Sequence, residues 1–70
     1  MLVTLQNIDG SQVYQTTINK GPVYPDGFLY EGKVYLAWRV LPGKGETIYR
    51  EKVINTLPPN MHVIEELIEG

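Results

Sequence analysis

Turn-forming residues recur along this chain at intervals of about ten residues, the rhythm of short strands joined by tight turns. They fall at Asp9-Gly10, Gly21-Pro22, Pro25-Asp26-Gly27, Glu31-Gly32, Pro42-Gly43-Lys44-Gly45 and Pro58-Pro59. Between them lie alternating segments rich in β-branched and aromatic residues. A sheet of short strands fits that pattern. Length sharpens the constraint: 70 residues make one small domain, which buries only ~60% of its unfolded surface. Domains of this size commonly lean on disulfides, a metal or a second chain. With no cysteine and a single histidine, a second chain is the expected support.

The first hairpin is the clearest local signal. Leu2 to Ile8 alternates, Asp9-Gly10 is a type I′ turn pair, and Gln12 to Asn19 alternates again. Closing the turn at Ile8 and Ser11 puts Val3, Leu5, Tyr14, Thr16 and Ile18 on one face, the core face. Thr4, Gln6, Gln15 and Thr17 share the other. Lys20-Gly21-Pro22 and Pro25-Asp26-Gly27 then bracket an irregular bend, because proline fixes its own φ and restricts its predecessor.

Gly27 to Val40, GFLYEGKVYLAWRV, concentrates four of the seven aromatic residues around a turn at Glu31-Gly32. The turn holds two residues, or three with a bulge at Gly32; both registers give the same faces. One face carries Leu29, Val34, Leu36, Trp38 and Val40, and is expected to be core. The opposite face carries Phe28, Tyr30, Lys33, Tyr35, Ala37 and Arg39. After the turn at Pro42 to Gly45, Glu46 to Ile54 reads as a further strand, with Ile48, Tyr49 and Val53 reaching the core. Leu57-Pro58-Pro59 ends the sheet. Asn60 is placed to cap a short helix with Met61, Ile64, Leu67 and Ile68 on one side and Glu65, Glu66 and Glu69 on another. A strand or extended tail is the alternative, since Val63 and Ile64 favour strands and the acidic residues sit at the end the helix dipole disfavours.

The expected fold is therefore all-β, or β with one short C-terminal helix, over residues 1–70 as a single domain. Its strands lie within 1–55, and 56–70 form a proline-bounded acidic tail. A small antiparallel sheet of four to five strands, partly open and SH3-like as a barrel, matches this layout. The likeness is one of scale: the chain has no ALYDY-like segment, no proline-groove tryptophan pair and no KOW-type motif. No functional residue transfers from it.

Charge narrows the function classes. The net charge is −2, with Asp9 alone before residue 20, six basic against four acidic residues from 20 to 52, and three glutamates after that. This mild polarity is far from the basic footprint of a duplex binder. No apolar run approaches the ~20 residues of a membrane span. The N-terminal MLVTLQNIDG has neither a basic region nor a small-residue cleavage site, so the expected location is cytoplasmic. PGKGET lacks the glycine and hydroxyl residue that a phosphate loop needs at positions 38 and 45. Ser11 is better placed to close the turn than to act as a nucleophile. His62 with Glu65 or Glu66 supplies too few ligands for a structural zinc site. Neither a cofactor, a metal nor catalysis is expected.

The candidate site is the face Phe28, Tyr30, Lys33, Tyr35 and Arg39. Tyrosine and arginine dominate protein interface hot spots, so the expected function is a small non-enzymatic binding or inhibitory accessory module. That face would dock onto a protein partner or onto a second copy as a homo-oligomer. Aromatic rings among cations also hold single-stranded nucleic acid, and between subunits they can wall a pocket for an anionic small molecule. These are the alternatives. If instead the sheet curls so that Phe28 and Tyr35 cover a second minor core or pack under the C-terminal tail, the face is not a site.

Overall fold

In a computed structural model of the chain, which describes residues 1–19, 24–56 and 58–67, strands form where the alternation places them. They are β1 (Leu2–Gln6), β2 (Gln12–Thr17), β3 (Gly27–Tyr30), β4 (Lys33–Leu41), β5 (Glu46–Glu51) and β6 (Met61–Val63). A 3-10 turn, Pro42–Lys44, joins β4 to β5, and a four-residue helix α1 (Ile64–Leu67) follows β6. The six strands form one sheet in the order β2-β1-β5-β4-β3-β6. It curls into a half-barrel, compatible with the expected partly open SH3-like barrel but with six strands instead of four or five. The sheet is also mixed: β1 pairs with β5 and β3 with β6 in parallel, while the other pairs are antiparallel. The Lys20-Gly21-Pro22 bend, Leu57, and Ile68 and Glu69 of the expected helix lie outside the described residues.

The first hairpin has the expected faces and a different turn. The Asn7 N–H donates to the Ser11 carbonyl at 2.8 Å and the Gly10 N–H to the Asn7 carbonyl at 2.9 Å, so the loop holds Ile8, Asp9 and Gly10. Only Gly10, at φ 94°, has positive φ there, whereas a type I′ turn needs it at both central residues. Asp9 Oδ1 accepts hydrogen bonds from the Ser11 N–H at 2.9 Å and Ser11 Oγ at 2.7 Å. Those two bonds hold the Asp9 carboxyl below its ordinary value, and they stabilise the longer loop. A bulge at Val13 absorbs the offset, because Gln6 pairs with Gln12 and Leu5 with Tyr14. From Leu5 onward the register is the one expected, and Val3, Leu5 and Ile18 are buried.

The β3–β4 hairpin closes on two residues, Glu31 and Gly32, at φ 48° and 78°, with Tyr30 opposite Lys33. Its faces are opposite to the expectation. Phe28 and Tyr35, cross-strand partners, are 0% and 1% exposed, while Trp38 and Val40 are 58% and 45% exposed. Leu29, Val34 and Leu36 are only half-buried. Alternation defines two faces but does not say which one a curling sheet encloses. Beyond Ala37 the parity fails as well. Ala37 pairs with Tyr49 and Arg39 with Ile48, which leaves Trp38 as the extra residue of a bulge. In β5, Tyr49 reaches the core as expected; Ile48 is half-buried on the outer face, and Val53 is 81% exposed.

The enclosed space is filled by a few large side chains. Val3, Leu5, Ile18, Phe28, Tyr35, Tyr49 and Ile64 form the core, with Met1, Tyr14, Tyr30 and Leu67 packed against it. Phe28 and Tyr49 meet edge to face at 4.7 Å, and Tyr30 and Tyr35 do so at 6.4 Å. Tyr14 of β2 stacks on Tyr30 of β3 at 4.6 Å, although three strands separate them in the sheet order. That stack spans the mouth of the half-barrel. Each such aromatic pair adds about 0.5–1.5 kcal/mol beyond area burial. The C-terminal segment closes the remaining gap: β6 lies along β3 with Phe28 opposite His62, and Ile64 is fully buried. Asn60 does not cap the helix; its Oδ1 lies 3.2 Å from His62 Nε2. The residues form a strand first and a single helical turn after it.

Candidate functional site

Curling assigns the five residues of the sequence-predicted face to different places. Phe28 and Tyr35 are in the core, and Tyr30 is half-buried under Tyr14. Burial, followed by the negative charges nearby, raises the phenol of Tyr35 above its ordinary value, and the same causes raise Tyr30. Lys33 is exposed and lies 3.9 Å from Glu51. Arg39 is exposed beyond the bulge. The five do not share one open surface.

The outer face of the same strands carries a different cluster. In register across the sheet stand Gln6 of β1, Arg50 of β5 and Leu36 of β4. The Trp38 bulge lifts its indole beside this row, and the Arg50 guanidinium lies 3.9 Å above the ring centroid. Arg50 is held from the other side too, donating from Nε and Nη2 to Gln6 Oε1 at 3.2 and 2.9 Å. Indole, guanidinium and amide thus brace one another. A cation over an indole is worth about 0.5–1 kcal/mol at a surface. The larger effect is that two rotamer-rich side chains are ordered before anything binds, which lowers the ordering cost of association.

Beside this stack lies a shallow depression of ≈ 260 Å³ lined by Leu36, Ala37, Trp38, Arg50, Glu51 and Lys52. Arg39 flanks Trp38 in sequence and pairs with Ile48 in the sheet. The depression therefore combines one large ring, an aliphatic floor, the cations Arg50 and Lys52 and the carboxylate of Glu51, with Arg39 a neighbouring cation on the sheet. Indole and guanidinium are the groups most enriched at interface hot spots.

Trp38, Arg50, Lys52 and Leu36 are the residues sequence reasoning missed. Bulk does not separate the two faces, because Trp38, the largest side chain of the hairpin, stands with the aliphatic residues and is 58% exposed. The other chemistry-bearing residues are committed locally. Ser11 Oγ donates to Asp9 and accepts from Asn7 Nδ2 at 3.0 Å. Among the described residues, no group of three or more His, Asp or Glu side chains is arranged to hold a metal ion. Nor is any helix among them long and apolar enough to cross a membrane. Compared with protein families, with curated proteins and with solved structures, the chain finds no match.

Proposed function

We infer that this chain is a non-enzymatic binding module that docks a protein partner on its outer sheet face, with the Trp38–Arg50 stack as the anchor. The observation that carries this reading is the 58% exposure of Trp38 on a bulge, under a guanidinium fixed by Gln6. Burying such a ring against the core would give more stability, so its outward display favours a contact with another molecule. The lining carries Arg50 and Lys52 against Glu51, and Arg39 adds a further cation opposite Ile48 on the sheet, so an acidic segment of the partner fits the depression. Electrostatic complementarity would fix register and speed encounter, while the indole would supply contact area.

Single-stranded nucleic acid is also anionic and is the second reading. It is held by successive aromatic platforms, and this cluster offers one ring.

Capture from a cell extract tests the proposal, using the wild type, Trp38→Ala and Arg50→Glu as baits. A protein retained by the wild type and lost from both variants is the expected result. The same set retained by all three would overturn it. Titration with labelled oligonucleotides at two salt concentrations separates the second reading, which predicts binding that weakens steeply with salt.

A further inference from the structure

The two edges of the sheet are unequal. β6 is three residues long, follows Pro58-Pro59 and runs into α1. Shortness and proline are the ordinary protections of an edge strand. β2 has neither. From Gln12 to Asn19 there is no charged residue and no proline, and β2 has no second strand neighbour among the described residues. Its bulge sits at the turn end, at Val13, and Tyr14 to Ile18 runs regularly after it.

The hydrogen-bonding pattern of this edge can be read from its inner side. The Met1 ammonium donates to the Ile18 carbonyl at 2.9 Å, and the Ile18 N–H donates to the Met1 carbonyl at 2.8 Å. Antiparallel pairs alternate between bonded and non-bonded. Thr16 and Tyr14 therefore bond to β1, and Gln15 and Thr17 direct their backbone groups outward. Gln15 and Thr17 are exposed, and Tyr14 and Thr16 are half-buried.

We propose that β2 pairs with β2 of a second copy of this chain, antiparallel and two-fold symmetric about Thr16, joining two half-barrels through one continuous sheet. In this register Gln15 of each chain exchanges backbone hydrogen bonds with Thr17 of the other. Thr16 faces its own symmetry mate in a non-bonded pair, and a threonine pair is favourable at such a site. On the inner face Tyr14 lies beside the other chain's Ile18, apolar against apolar. A two-fold axis at Gln15 would instead set Tyr14 against Thr16. The absence of charge matters most at this point, since any charged residue near the axis would meet itself. The pairing also supplies the second chain that a 70-residue domain without cysteine commonly needs.

Two measurements test it. Sedimentation should give the wild type twice the 8.0 kDa mass of one chain at micromolar concentrations. Gln15→Pro should return it to a single chain with its circular dichroism unchanged, because the amide it removes does not bond to β1. Should Gln15→Pro fail to fold, Gln15→Lys with Thr17→Lys gives the same test through like charges. Because the chain has no cysteine, oxidised Thr16→Cys should cross-link to a covalent dimer, since non-bonded antiparallel pairs bring Cα atoms to about 4.5 Å. Thr17→Cys should not, as it faces Gln15. A wild type of single-chain mass would overturn the proposal. So would a dimer that persists in the edge variants, or one that Trp38→Ala abolishes.

Discussion

Gly27→Ala is a severe test of the packing between β3, β4 and β6. A Cβ built on Gly27 lies 2.7 Å from the Tyr35 carbonyl oxygen, 2.7 Å from Met61 Sδ and 2.9 Å from Leu36 Cδ2. Ordinary contact begins at 3.4 Å. The thioether and the leucine methyl can rotate away, but the Tyr35 carbonyl belongs to the β3–β4 ladder, where Gly27 faces Leu36. Relief requires the two strands to separate. Overpacking of this kind costs about 1–3 kcal/mol, and a clash with backbone belongs at the upper end. Removing a glycine from the unfolded chain returns about 0.5–1 kcal/mol. The net loss is about 2 kcal/mol, which in a domain of this size lowers Tm by roughly 8–16 °C. Thermal unfolding followed by far-ultraviolet circular dichroism measures it, with Gly43→Ala as the control, since a Cβ at Gly43 meets nothing within 4 Å. A Gly27→Ala variant melting within about 3 °C of the control would refute the close approach of these strands.

Phe28→Ala should cost about 3–5 kcal/mol, as a buried aromatic does, whereas Trp38→Ala should cost under about 1 kcal/mol; urea unfolding of the two variants separates core from surface in one experiment. Burial, then the neighbouring Asp26 and Tyr24, pushes the Tyr49 phenol up to about 12 from its ordinary 10.0, where it donates to the Pro25 carbonyl at 2.8 Å. A raised value favours the neutral form in the folded state. The associated stability, about 3 kcal/mol, is thus fully present below pH 10 and lost as pH rises through 12; Tyr49→Phe should blunt that alkaline loss in a pH series of melting temperatures. Gly32→Ala, at φ 78° with open space around it, should lose about 1 kcal/mol through backbone strain alone. That loss should appear in unfolding without a change in partner capture.

The first hairpin was legible because its signals are local. Asp9-Gly10 marks the turn, and alternation from Val3 to Ile18 marks the faces. The longer loop and the Val13 bulge cancel, so an error in turn type left the core residues unchanged. The β3–β4 hairpin was legible as a hairpin and illegible as to its inside. Which face is enclosed follows from pairing β5 against both β1 and β4, and no local pattern in residues 27–40 carries that information. The candidate site was lost with it. Trp38 was expected in the core with the aliphatic residues that share its parity, but that parity, with Leu36, is the outer one; the bulge at Trp38 shifts only the residues that follow it. The tail was read as helix or strand and is both in turn, since Val63 extends β6 and Ile64 begins α1.

The parallel pairing of β1 with β5 has a consequence for how the chain comes into being. Val3 and Leu5 must wait for Thr47 and Tyr49, so the amino-terminal hairpin emerges during synthesis with its apolar face uncovered and its inner neighbour still to be made. Non-local pairing of this kind slows folding relative to domains built from local contacts, and exposed strand edges are the hazard of that interval. For this protein the vulnerable moment is the delay before its fifth strand arrives, and the strand that then slides between the first hairpin and the second joins both into one sheet.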